Sequence, residues 1–168
     1  MRKSDIDTAI KTLKLLQTKS WDNIKVENIL IKKNYQKKEL LINLNRFFDF
    51  KLNENISSIE NSSSKDMLFE VMMARFDILN LYRHQIKNLF KTITKKPHNF
   101  VSVVPSFIES IILMSTKAGI RVNGLKGLTN IKCIFILYLI TAFVWSNDET
   151  VSLEKTMTAL DKYLSQID

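Results

Sequence analysis

The sequence predicts an all-α fold of about nine helices, and three observations support this prediction. The 168 residues include only three glycines and two prolines, too few for the many turns of a β protein. Apolar residues make up 45% of the chain, which is enough for a hydrophobic core at this length. No segment of the sequence shows the clear alternation of apolar and polar residues that marks a strand.

The first predicted helix runs from about Ser4 to Lys19. A serine or aspartate at its start suits an N-cap, and Asp7 lies in the first turn. Trp21 follows in a short break, where we expect it to fill the core of a small first domain. The apolar stripe of this helix consists of Ile6, Ala9, Ile10, Leu13 and Leu16.

Two short helices joined by a tight turn at Asn34 and Tyr35 are predicted between Lys25 and Leu44. Asparagine tolerates the left-handed conformation that ends many helices. Two helices with so short a turn form a helix-turn-helix, which places its second helix in the DNA major groove. Ordinary helix packing is the alternative interpretation. The apolar positions are Val26, Ile29 and Leu30 in the first helix and Leu40, Leu41 and Leu44 in the second.

The rest of the chain reads as further helices separated by short breaks. A fourth helix is predicted from near Asn45, and the polar segment 57–65 is predicted to be a bend. Thr150 or Ser152 is expected to cap a last amphipathic helix with Leu153, Met157, Leu160 and Leu164 on its inner face. The remaining predicted helices cover about 66–83, 83–94, 98–117 and 125–145.

The positive charge is concentrated near the start of the chain. Residues 1–51 hold 12 Lys/Arg and 6 Asp/Glu, whereas residues 52–168 hold 13 and 11. A basic excess beside a helix-turn-helix pattern is expected of a segment that binds phosphates; general lysine-rich composition is the alternative. We predict a DNA-binding headpiece over 1–51 and a helical effector-binding and dimerisation domain over 52–168.

The sequence also predicts a cytoplasmic protein with no stable membrane insertion. Its single cysteine, Cys133, excludes an internal disulfide and has apolar neighbours that predict a buried, inert thiol. No apolar run follows the basic start at Met1, because Asp5 and Asp7 come next. The longest apolar stretch, Cys133 to Trp145, has thirteen residues, short of the roughly 20 that span a bilayer.

Catalytic and metal-binding patterns are missing from the sequence. His84 and His98 do not have the spacing of a helical zinc site, and the three glycines at 119, 124 and 127 do not form a phosphate-binding loop. We therefore predict a protein that is not an enzyme and that uses no cofactor or metal.

A basic headpiece followed by a larger apolar helical body resembles the TetR family of bacterial repressors. In the body, DMLFEVMMARFDILNLYRHQI and FVWSNDETVSLEKTMTALDKYL resemble an alphaproteobacterial TetR-like subgroup. That subgroup is similar in turn to the ubiquinone-biosynthesis lipid-binding protein of TetR-like fold. The headpiece departs from the family pattern, with Asn34 in place of glycine, Gln36 in place of a Ser/Thr cap and Leu41 in place of a phosphate-contacting tyrosine.

The resemblance implies a dimeric repressor that binds double-stranded DNA and responds to a small apolar effector. Dimerisation through the last two helices would use Phe143, Met157, Leu160 and Tyr163. Lysines suit phosphate oxygens, and Gln36, Lys37 and Asn43 are candidates for base contacts. The candidate DNA-binding residues are Lys25, Lys32, Lys33, Gln36, Lys37, Lys38, Asn43 and Arg46.

The alternative implied by the same resemblance is a non-enzymatic isoprenoid- or lipid-binding accessory protein of ubiquinone biosynthesis. Such a protein would hold an apolar pocket in the body, and adaptable methionines suit a lining of this kind. Ordinary core packing is the competing interpretation of the same residues. The candidate pocket residues are Met72, Met73, Phe76, Phe107, Ile111, Met114 and Leu137.

Overall fold

The computed structural model describes residues 1–30, 35–56 and 63–166, apart from the side chain of Asn99. Within these ranges the chain is all-helical and contains no strand, which confirms the predicted fold class. Seven longer α-helices, one four-residue helix and two 3-10 turns are present there. The α-helices are α1 (Lys3–Leu16), α2 (Lys37–Asn55), α3 (Ser64–Asn80), α4 (Arg83–Lys95), α5 (His98–Val101), α6 (Val104–Lys117), α7 (Gly124–Asn147) and α8 (Glu154–Leu164).

The described part of the predicted helix-turn-helix differs from the prediction. In place of its first helix the chain forms a 3-10 turn at Val26–Asn28, and Asn34 lies outside the described residues. The β-branched Val26 and Ile29 have only moderate helix propensity, and Lys25 enters the turn in an extended conformation. An α-helix therefore does not form at Lys25–Leu30.

The predicted second helix and the fourth helix are one continuous helix. α2 runs for 19 residues from Lys37 to Asn55 without a break at Asn45. Asparagine interrupts helices when its side chain competes for nearby backbone groups. Here the Asn45 amide instead donates to the backbone oxygen and hydroxyl of Ser106, both at 2.9 Å. No glycine or proline lies within α2.

The predicted helix over 98–117 is divided in the structure. α5 ends at Val101 and α6 begins at Val104, with Pro105 in its first turn. Proline has no backbone N–H to donate, so it is tolerated at a helix start and disfavoured in a helix interior. Gly119, predicted to end this helix, adopts a left-handed φ of +69°.

The chain divides into two compact units that each contain two stretches of sequence. The first unit is Met1–Lys51 with Ile78–Phe107, and the second is Leu52–Asp77 with Ile108–Asp168. The segment Ile78–Phe107 thus joins the first 51 residues, whereas the predicted division assigned it to the body. The functional division into headpiece and effector domain stays a prediction.

Aromatic side chains from α2 form part of the core of the first unit. The rings of Phe47 and Phe48 lie 6.1 and 5.8 Å from that of Tyr82, between centroids. The N-terminal segment is held by Asn88 on α4, whose amide donates to the backbone oxygens of Leu16 and Lys19. α1 and the turn at Trp21 are therefore fixed against α4.

The second unit has a stacked aromatic core that joins α3 to α7. The Phe76 ring lies 5.4 Å from that of Tyr138 and 6.3 Å from that of Trp145, between centroids. Arg75 is buried beside it and donates to the Tyr138 hydroxyl at 3.4 Å. α8 then packs against α7, with Leu160 and Leu164 buried.

Asp148 organises the connection between α7 and α8. The carboxylate is buried and accepts hydrogen bonds from the backbone N–H and hydroxyl groups of Thr150 and Thr156. Thr150, one of the two predicted caps, also accepts from the backbone N–H of Glu154 at 2.9 Å. Met157, predicted to face inward, is 43% exposed because it lies on the outer side of α8.

Candidate functional site

The candidate DNA-binding residues do not share one face of α2. Lys37 and Arg46 are nine positions apart, and at about 100° per residue they point to opposite sides of the helix. Lys38 and Asn43 differ by five positions and are therefore separated by roughly 140° around the axis. Lys25 lies outside α2 and is exposed, and Lys32 and Lys33 lie outside the described residues.

Lys37 is occupied by contacts within the first unit. Its Nζ donates to the backbone oxygen of Asp22 at 3.2 Å and lies 5.0 Å from the centroid of the Trp21 ring. Burial lowers the pKa of Lys37, nearby Lys96 lowers it further, and Asp22 opposes both effects. The ammonium group is thus partly withdrawn from the surface where a phosphate would bind.

Of the other two base-contact candidates, Asn43 has a hydrogen-bond partner for its side chain and Gln36 has one for its backbone N–H. The Asn43 amide donates to the hydroxyl of Tyr35, which is half-buried. Burial raises the pKa of that Tyr35 hydroxyl, and the nearby carboxylate of Glu39 raises it further. Gln36 is exposed, and its backbone N–H donates to the Glu39 carboxylate at 2.9 Å, as in a capping box.

A small cleft adjoins the start of α2, with a volume of about 120 Å³. Trp21, Asp22, Lys37, Lys38, Leu41 and Ser102 line it. Its positive charge is partly offset, because the Asp22 carboxylate lies in the cleft and forms an ion pair with Lys96 at 3.0 Å. The cleft keeps a net positive charge, because the single carboxylate of Asp22 offsets only one of Lys37, Lys38 and Lys96.

The candidate ligand-pocket residues are mostly core residues. Phe107 belongs to the first unit, where its ring lies 5.3 Å from that of Phe100. The other six lie in the second unit and are buried: Met72, Met73, Phe76, Ile111, Met114 and Leu137. The cleft described in this unit, between α3 and α8, is lined by other residues. Six of the seven are thus core residues of the second unit, and a ligand pocket formed by them stays a prediction.

The exposed face of α7 is the feature that sequence reasoning missed. The predicted buried central helix is buried over only 33% of its most apolar 18-residue window. Phe143 is 70% exposed and Leu125 is 87% exposed, although both are large and apolar. The other large apolar residues exposed on α7 are Leu128, Ile136, Leu139 and Ile140.

These exposed side chains lie on one side of α7. At about 100° per residue the six fall within roughly 120° around the helix axis. The exposed Lys132 lies on the same side and interrupts the stripe between Leu128 and Ile136. The opposite face, including Tyr138 and Trp145, is buried in the second unit. A helix that is apolar on all sides is normally buried on all sides. The sequence therefore predicted a buried helix here rather than an exposed apolar face. Cys133 is exposed on α7 rather than buried as predicted, because it lies away from the packed face.

Of the four predicted dimer contacts, two are exposed and two are partly or fully buried. Phe143 and Met157 are exposed, Leu160 is fully buried and Tyr163 is half-buried. Among the described residues, α7 is also the one helix long and apolar enough to cross a bilayer, a criterion that buried core helices meet as well. The α7 face, defined by Leu125, Leu128, Ile136, Leu139, Ile140 and Phe143, is therefore the strongest candidate for a functional surface.

Comparisons with known proteins add no family to these observations. The chain matches no protein-family model, and the search of curated proteins gave no match.

Proposed function

We propose that this protein is a non-enzymatic lipid-binding accessory protein, with an apolar lipid of the isoprenoid class held against the α7 face. The observation that carries the proposal is the long exposed apolar stripe on α7, including Leu125, Ile136 and Phe143. Covering apolar surface contributes about 25 cal/mol per Å² removed from water. A hydrocarbon chain laid along Ile136, Leu139, Ile140 and Phe143 would gain that contribution over the uninterrupted part of the stripe.

The resemblance of the body to the ubiquinone-related lipid-binding protein selects the ligand class. An isoprenoid tail has the length and flexibility to follow a stripe about five turns long, from Leu125 to Phe143. The region from Cys133 to Asn147 contains no charged residue that would oppose an apolar ligand. These features support an isoprenoid over a small polar effector.

Extraction of the purified protein with organic solvent, followed by mass spectrometry, tests the proposal. We expect an isoprenoid lipid to copurify with the wild-type chain. The double variant Ile136→Ser/Ile140→Ser should retain much less of it, because two apolar contacts in the middle of the stripe are lost. A matched control is Ile10→Ser/Leu81→Ser, which changes two exposed residues of the first unit. Equal lipid content in the two double variants would contradict the assignment of the α7 face.

A DNA-binding repressor is the second candidate function, favoured by the basic excess in residues 1–51. In this alternative Lys25, Lys38 and Arg46, all exposed, would contact phosphates. A second copy of the chain would then cover the α7 face, with Phe143 and Met157 in a homodimer contact.

A gel-shift titration at several salt concentrations tests the repressor directly. A specific repressor prefers DNA from upstream of its own gene over random DNA at every salt concentration. Binding without that preference, falling steeply with salt, would instead be the general phosphate attraction of a basic protein.

A further inference from the structure

The α7 face is positively charged near its N-terminal end. Leu125 and Leu128 are exposed there, and the exposed cations Arg121, Lys126 and Lys132 surround them. The opposite end of α7 is followed by Asp148 and Glu149 instead. The positive charge of the helix is thus concentrated around the two exposed leucines at its start.

The segment before α7 is fixed against the first turns of this helix. A Cβ added to buried Gly127 would lie only 2.2 Å from the backbone carbon of Val122, so this close approach requires glycine. The Asn130 amide donates to the backbone oxygen of Arg121 at 3.0 Å. These contacts hold the Arg121 backbone beside the start of α7.

We propose that this end of α7 docks on the surface of an anionic bilayer. The two leucines would enter the boundary between headgroups and acyl chains, and the three cations would contact lipid phosphates. Apolar residues flanked by lysine and arginine are the combination that binds such surfaces. The inference rests on the proposed function, because the docked bilayer would be the source from which the lipid reaches the α7 face.

Charge repulsion disfavours a second copy that meets this end of α7 with its own N-terminal end. A copy placed symmetrically on this end would bring a second set of Arg121, Lys126 and Lys132 towards the first. No carboxylate lies between Arg121 and Asn147 to neutralise that repulsion. An anionic membrane supplies negative charge and an apolar layer together.

Flotation with lipid vesicles tests the docking surface. The full chain should bind vesicles of phosphatidylcholine mixed with phosphatidylglycerol and bind much less to phosphatidylcholine alone. Lys126→Gln/Lys132→Gln should weaken partitioning to the mixed vesicles by roughly thirtyfold, since each cation near the surface contributes about a fivefold factor. Leu125→Ser/Leu128→Ser should weaken it by roughly tenfold or more. The matched charge control is Lys155→Gln/Lys162→Gln on α8, whose lysines are exposed.

Several results would overturn the docking proposal. One is equal binding to the two kinds of vesicle, and another is an equal loss for the control variant, which would reflect net charge alone. A third is a fall in molar mass of the leucine variant by light scattering, which would assign this end to a second copy. Lipid extraction separates the two proposals: copurified isoprenoid without vesicle binding contradicts the docking alone, and vesicle binding without copurified isoprenoid contradicts the proposed function alone.

Discussion

The Oδ2 atom of Asp148 accepts two hydrogen bonds from Thr156, one from the backbone N–H and one from the hydroxyl, both at 2.8 Å. Thr156 lies in the first turn of α8, where backbone N–H groups have no partner within the helix. The buried carboxylate therefore acts as the cap of α8 from a position eight residues earlier in the chain. This relationship fixes how α8 follows α7.

Replacing Asp148 with asparagine should destabilise the protein by about 2–3 kcal/mol. The amide loses the charge of the carboxylate, and its NH₂ group cannot accept from Thr156 or Thr150. Urea unfolding followed by circular dichroism measures the change. Asp161→Asn on the exposed side of α8 is the matched control and should shift the free energy of unfolding by less than about 0.5 kcal/mol. Equal midpoints for the two variants would show that Asp148 is not the cap.

The stability of the protein should fall in acid through the same carboxylate. Burial alone raises the pKa of Asp148, but the hydrogen bonds from Thr150 and Thr156 outweigh it and lower the pKa from 3.8 to about 2. Because the pKa of Asp148 is depressed in the folded state, its contribution to the free energy of unfolding is fully present above the ordinary pKa of 3.8. It is lost as the pH falls from about 4 to about 2, and it amounts to about 2 kcal/mol. Urea unfolding across this range should show the stability gap between wild type and Asp148→Asn closing by that amount. A gap that does not change with pH would contradict the prediction.

Lys37 should contribute to the stability of the first unit. Lys37→Gln removes the cation above the Trp21 ring and the hydrogen bond to Asp22, and we expect a loss of about 1 kcal/mol. Lys25→Gln, at an exposed lysine in the same part of the chain, removes the same charge and should have almost no effect on unfolding. The two variants are compared by urea unfolding. If both leave the midpoint unchanged, Lys37 is a surface lysine and again a candidate for phosphate contact.

Phe143 distinguishes lipid from a second copy as the partner of the α7 face. Phe143→Glu should lower lipid retention by roughly tenfold or more, because a large apolar contact is replaced with a charge. Its molar mass by light scattering should stay the same as that of the wild type. Leu81→Glu, at an exposed leucine of the first unit, is the control and should retain lipid normally. A Phe143→Glu chain that keeps its lipid but falls to half the mass would support the repressor-type dimer instead.

The periodicity of apolar residues predicted most α-helices of the described chain, but not where several of them end. The prediction starts a new helix near Asn45, whereas α2 continues past this residue and its amide donates to the distant Ser106. Pro105 was a readable signal for the break before α6. Apolar spacing alone predicted a second helix at Val26, where the chain forms a 3-10 turn.

The candidate sites were harder to predict than the fold. Lys37 has the charge that DNA binding needs, but its contact with Trp21 depends on tertiary packing that spacing does not encode. Phe143 and Trp145 are both apolar and only two positions apart, yet one is exposed and the other buried. Apolar residues occur on every side of α7 after Lys132, so spacing does not distinguish the outer side of this part of the helix, and the exposure of the α7 face is seen only in the structure.

Mass spectrometry of the organic extract from the purified wild-type chain tests the central claim most directly. The proposed function predicts an isoprenoid lipid in the extract, with its amount reduced in Ile136→Ser/Ile140→Ser and unchanged in Ile10→Ser/Leu81→Ser. An extract without any isoprenoid, from protein that shifts its own upstream DNA in preference to random DNA, would contradict the lipid-binding account.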